Sequence, residues 1–211
     1  MEMPPVPPPL PAKSRFGRWK VLLIVLGALG AAALLFVGST ALFMLTAQSY
    51  EPTAEQRAAV LTVEDVEAWY EIDLNEGEET WEATRYLDTS KEIFYFYTDE
   101  DISLDCTITI ERNRSDAVTS YLAEWAALKL GNRVDGGGKI GLEREDAFFS
   151  WGDTSQFAFQ TYEGERHGFV FITRSGNQIF FVDAWGFLID EREEMAAFLT
   201  PKLRKFEATS F

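Results

Sequence analysis

Hydropathy divides the chain into three stretches. Residues 1–20 hold six prolines within the first eleven positions, followed by Lys13, Arg15, Arg18 and Lys20. Such a run cannot build a core and is expected to be extended and disordered. From Val21 to Leu45 come 25 residues without a charge, about 37 Å as a helix against a hydrocarbon core of about 30 Å. This predicts a transmembrane helix, since a core helix would keep a polar face. The alternative is a signal peptide, whose apolar region runs only about 7–15 residues. Ala47-Gln48-Ser49 does fit a small-x-small cleavage site, so the choice rests on the length of the apolar run. Residues 46–52 then form a linker, and 53–211 a separate domain.

Within that domain the pattern alternates between periods of 3.6 and 2. Thr53 with Gln56, and Thr62 with Asp65, are spaced as helix starts and predict short helices over 54–60 and 63–70. Strands follow near 80–87, 92–98 and 103–111, separated by Asp88-Thr89-Ser90 and Asp99-Glu100-Asp101. Ser115 is placed to cap a helix over 116–130 with the stripe Val118, Tyr121, Leu122, Trp125 and Leu128, ended by Gly131. Four more strands are expected near 139–144, 155–162, 167–174 and 178–185. The short turns at 163–165 and 175–177 mark antiparallel hairpins. A last helix begins near Glu191 and turns Met195, Phe198 and Leu199 inward; Pro201 kinks it or starts a new turn. The fold class is α+β: an N-terminal transmembrane helix, then an antiparallel sheet covered by helices.

The charges orient this arrangement. Four bases and one acid precede the apolar run, whereas the first charges after it are Glu51 and Glu55. Basic residues stay cytoplasmic, so the N-terminus is predicted inside and the domain outside the cell membrane. Of 34 acids and 19 bases in the chain, 33 and 15 lie beyond the span, a formal charge of −18. Nucleic acid is excluded as a partner, because it demands a basic surface. In the span, Gly27, Ala28, Ala31 and Ala32 form small-xxx-small pairs suited to helix self-association and a homodimer; the alternative is the ordinary Gly and Ala content of a membrane helix.

The order of strands, a mid-domain helix, a run of antiparallel strands and a closing helix resembles the PsbP-like α/β/α sandwiches. The stretch Gln178 to Phe206 carries most of the likeness: an aromatic strand ending at Gly186, then an acid-capped amphipathic helix. The resemblance implies an accessory or binding module more often than an enzyme, though fold does not settle function.

Motifs for chemistry are few. Gly131 to Lys139 has the look of a phosphate loop, but Arg133 and Ile140 stand where that motif needs Gly and Ser/Thr. His167 is the only histidine, beside a predicted strand start, and no nucleophile elbow accompanies it. One histidine and one cysteine, Cys106 on the apolar face of its strand, cannot supply a zinc shell. No metal, cofactor or catalytic residue is predicted. Acid clusters at Asp73-Asn75-Glu76-Glu78-Glu79 and Asp99-Glu100-Asp101 lack calcium-loop spacing and read as solvated turns. Phe148, Phe149 and Trp151 share a loop that is either a partner-binding edge or a plug folded into the core. Asn113-Arg114-Ser115 is a formal glycosylation sequon. The expectation is a membrane-anchored extracytoplasmic binding or accessory domain, with a protein or small-ligand partner. The alternatives are a carboxylate-dependent cell-surface hydrolase and a lipid-binding or small-ligand-binding domain.

Overall fold

A computed structural model describes residues 47–74, 76–135 and 139–209. The predicted tail and span, with Gly27, Ala28, Ala31 and Ala32, lie outside these residues. Among the described residues no helix is long and apolar enough to cross a membrane.

The described residues fold as α+β, with four helices and one eight-stranded antiparallel sheet. In chain order it runs β1 (Gln48–Ser49), α1 (Ala54–Ala59), α2 (Val63–Tyr70), β2 (Glu78–Arg85), β3 (Lys91–Thr98) and β4 (Ser103–Ile110). Then come α3 (Arg114–Asp135), β5 (Ile140–Arg144), β6 (Thr154–Tyr162), β7 (Glu165–Ser175), β8 (Gln178–Trp185) and α4 (Arg192–Ala208). The order across the sheet is β1-β2-β3-β4-β8-β7-β6-β5. Two antiparallel meanders therefore meet where β4 pairs with β8.

Local chemistry explains most boundaries. Gln56 N–H donates to Thr53 Oγ1 at 3.2 Å and Thr53 N–H to Gln56 Oε1 at 2.9 Å, closing the box that starts α1. The start of α3 differs from the expected one: Asn113 Oδ1, not Ser115, accepts from Ser115 N–H at 2.9 Å and Asp116 N–H at 3.0 Å. Nor does Gly131 end that helix, which continues to Asp135; a single glycine costs only about 1 kcal/mol inside a helix. Pro201 likewise sits within a continuous α4. The β6–β7 hairpin turns on Glu163 and Gly164, both at positive φ, as a tight two-residue loop requires.

Strand alternation sends two sets of side chains to opposite faces. On the first face lie Ile93, Tyr95 and Tyr97 of β3, Leu104, Cys106 and Ile108 of β4, and Phe157, Phe169, Phe171 and Phe180, all buried. Helices α1, α2 and α4 cover it, with Met195, Phe198, Leu199, Leu203 and Phe206 of α4 buried there. Lys202 fastens α4 to the α1–α2 junction: its Nζ donates to Val60 O at 2.9 Å and pairs with Asp65 Oδ2 at 2.6 Å, its side chain only 12% exposed.

The second face is divided. Helix α3 packs on β5, β7 and β8, laying Ala117, Tyr121 and Trp125 against Ala158, Val170, Ile172, Ile179 and Phe181. The stripe is narrower than its spacing implies, since Val118 is 39% and Leu122 57% exposed. On the β3 portion of this face Phe94 and Phe96 stay half-buried, stacked at 6.3 Å.

Candidate functional site

One row of cross-strand partners crosses the second face from β2 to β6: Thr80, Phe96, Asp105, Asp183, Val170 and Ala158. Two carboxylates thus stand directly opposite each other on β4 and β8, where Cβ atoms are about 4.5–5.5 Å apart. Alternation explains why they share a face: Asp105 follows Ser103 and precedes Thr107 on the polar side of β4, while Asp183 lies between Phe181 and Trp185 on an otherwise apolar side. Both are half-buried.

Their surroundings oppose ionisation. Burial pushes Asp105 from 3.8 up to about 7; the Thr107 hydroxyl, donating at 3.1 Å, resists this, and the charges of Asp183, Glu124 and Glu92 add to it. Burial likewise lifts Asp183 to about 6, opposed by Gln160, whose Nε2 donates to Asp183 Oδ1 at 2.9 Å. Glu92 of β3 and Glu124 of α3 are also raised, chiefly by burial. Two like charges so close cannot both ionise cheaply, and the charge of Asp183 adds to the rise at Asp105. Chemically the pair can hold a cation, or offer one acid and one base to a bound group.

Gln160 reaches this pair because of a glycine. It pairs with Gly168 on β7, so no side chain stands between it and β8. A Cβ at Gly168 would come within 2.0 Å of Ala184 O. The same point carries a β-bulge: His167 is the extra residue between the pairs Gln160–Gly168 and Thr161–Arg166. Its ring stacks on Trp185 at 5.5 Å and meets the edge of Tyr162 at 6.0 Å. His167 is therefore a half-buried strand residue packed between Tyr162 and Trp185.

The residues singled out from sequence are placed differently. Phe148 and Phe149 are 9% and 5% exposed, packed on Phe157, Phe159 and Phe171, so their loop is folded inward. Trp151 is half-buried, with no partner for its Nε1. The two acid clusters come together in part: Glu76 and Glu78 face Thr98, Asp99 and Glu100 across a hollow of about 650 Å³. Asp99 is a turn residue there, accepting from Asp101 N–H at 2.8 Å and Ile102 N–H at 2.7 Å. Among the described residues no three of His, Cys, Asp and Glu converge to hold a metal ion. Cys106 is fully buried, its sulfur accepting from Leu61 N–H at 3.3 Å, and burial raises its thiol. Asn113 donates its Nδ2, the atom a glycan would occupy, to Asp116 Oδ2 at 2.8 Å. Two surface clefts of about 300 and 260 Å³ lie beside α2, one lined by Trp69, Phe198 and Pro201, the other by Tyr70, Ile72 and Phe187.

Sequence reasoning passed over Asp105, Asp183 and Gln160. The available signal was a single acid on the apolar side of an aromatic strand, at Asp183. No family model matches the chain, and neither curated proteins nor solved structures give a match.

Proposed function

We propose that this chain is a single-pass membrane protein whose extracytoplasmic domain binds a ligand or protein partner on the second face of its sheet. The observation that carries the reading is the row Phe96, Asp105 and Asp183: an aromatic ring and two half-buried acids side by side across β3, β4 and β8. Burying acids without bases lowers stability, so a fold that retains them there has a use for them. The topology is supported by the 25 uncharged residues from Val21 to Leu45 and by the basic flank before them.

The test is site-specific photocrosslinking in the membranes of intact cells, with a photoreactive side chain in place of Phe96 and, as control, of Leu122 on the exposed flank of α3. A defined adduct from position 96 and none from 122 is the expected result. Equal yields, or no adduct at position 96, would remove the second face as the binding surface. Protease added outside the cells should cut the domain, and a domain protected from it would overturn the topology.

A second reading, a carboxylate-dependent hydrolase at the cell surface, is favoured by one observation. Asp105 and Asp183 set two carboxyls opposite each other on β4 and β8, both pushed up by burial. Turnover abolished by both Asp105→Asn and Asp183→Asn would establish it; binding without turnover favours the first.

A further inference from the structure

We infer that the β2–β3 hairpin, Arg85 to Lys91, lies on the bilayer surface, with Arg85 and Lys91 on lipid phosphates and Leu87 in the headgroup layer. This rests on the reading of the chain as membrane-anchored and adds which end of the domain meets the lipid. The length of the connection sets the distance. The uncharged run ends at Leu45 and β1 begins at Gln48. Three residues reach at most about 11 Å when fully extended, and the headgroup layer outside the hydrocarbon is itself about 5–7 Å deep. Gln48 is therefore held within reach of the lipid. Its cross-strand partner is Arg85. Because β1 and β2 are antiparallel, Ser49 and Tyr50 follow Thr84 and Ala83 away from that point, while Tyr86 and Leu87 continue the other way. The hairpin turn thus overhangs the place where the chain leaves the bilayer.

What the hairpin presents there suits a lipid surface. Arg85 and Lys91 stand directly opposite each other, and like charges so paired destabilise a sheet. Among the described residues neither has an ion-pair partner, whereas Arg112 and Arg114, at the same end of the sheet, are taken up by Asp116 and Asp153. The acid of the turn, Asp88, is engaged by Ser90, whose N–H and hydroxyl donate to it at 3.1 and 2.6 Å. Two bases without a counter-charge, in a domain of formal charge −18, call for an anion from outside. Between them Leu87 is 65% exposed, the most exposed large apolar side chain among the described residues. An apolar tip flanked by bases is the composition of an interfacial contact. The acidity of the domain does not oppose this at close range. Strand β2 runs from Glu78 to Arg85, about 23 Å at about 3.3 Å per residue. Glu76, Glu78, Asp99 and Glu100 gather at its other end, more than two Debye lengths away at physiological salt. The acidic end therefore points away from the lipid.

Quenching by labelled lipid tests this. Cys106 is buried, so Leu87→Cys and Glu100→Cys, both at exposed positions outside the strands, each give the full chain one reactive thiol for a nitrobenzoxadiazole label. The labelled chains are reconstituted into phosphatidylcholine vesicles that also contain phosphatidylglycerol and a lipid with a nitroxide on its headgroup. Quenching several-fold stronger at position 87 than at position 100 is the expected result, and Arg85→Gln with Lys91→Gln should reduce it. Equal quenching at the two positions, or quenching at 87 that the loss of both bases leaves unchanged, would overturn the inference. If alkaline carbonate strips the chain from the vesicles, the anchor reading falls and the inference with it. If the chain is retained and the two positions quench alike, the inference alone falls.

Discussion

Asp105→Asn should make the protein more stable at neutral pH, against the usual outcome for a half-buried polar residue. Asparagine keeps the side-chain shape and can still accept from Thr107, which donates to Asp105 Oδ1 at 3.1 Å. What it removes is a charge that the fold disfavours. The folded carboxyl is pushed from 3.8 up to about 7, so between those values the folded state holds a proton that the unfolded state has lost. Stability from this group is fully present below about pH 4 and is lost as pH rises through about 7. At ~1.36 kcal/mol per pH unit the ceiling is about 4 kcal/mol. Partial solvent access and the electrostatic coupling to Asp183 bring the expected gain at pH 8 down to about 1–2 kcal/mol. For a domain of this size that is a melting-temperature rise of roughly 3–6 °C. Circular dichroism melts of the full chain and its variant at pH 4, 6 and 8 read it directly. Asp88, Asp99, Asp146 and Asp153, whose carboxyls are held low, destabilise both proteins alike in acid and cancel in the difference. A variant less stable than the parent at pH 8, or a gap of the same size at pH 4, would refute the reasoning.

Three further outcomes follow from the packing. Gly168→Ala would set a Cβ about 2 Å from Ala184 O, and a cost of about 2–4 kcal/mol in chemical denaturation is expected as β7 and β8 part. Lys202→Met leaves the buried Val60 carbonyl and Asp65 without their partner and should cost about 2 kcal/mol by the same measurement. Cys106 should resist iodoacetamide in the folded chain and react only in denaturant, since it is fully buried with its thiol raised; mass spectrometry of the labelled protein checks this.

The elements were legible where one signal dominated. Alternation in Leu104, Cys106, Ile108 and Ile110 marked β4 and its buried face, and Thr53 with Gln56 marked α1. Signals that compete locally misled. Asn113 and Ser115 are both good caps two residues apart, and Asn113 holds the position. Gly131 reads as a stop, yet the helix passes through it. The stripe of α3 looked wider than it is because Val118 and Leu122 have helical spacing but face solvent. The site was hidden for a different reason. Asp105 and Asp183 lie far apart in the chain and meet only because the β4–β8 register aligns them, and no local pattern encodes that register. Gln160 joins them through a gap left by Gly168, a contact two strands removed. Phe148 and Phe149 are buried against the rings of Phe157, Phe159 and Phe171, contacts that no local pattern in their loop specifies.

The central claim is that the part of the second face around Phe94 and Phe96 is covered by something other than this chain when the protein works. Hydroxyl-radical footprinting of the full chain, in the membranes of its own cells and again after purification, measures that coverage. Phe94, Phe96 and Trp185 should be oxidised less in the membranes than after purification, while Tyr70 and Leu122, exposed elsewhere, change little. Equal oxidation of Phe94 and Phe96 in the two states would contradict the account.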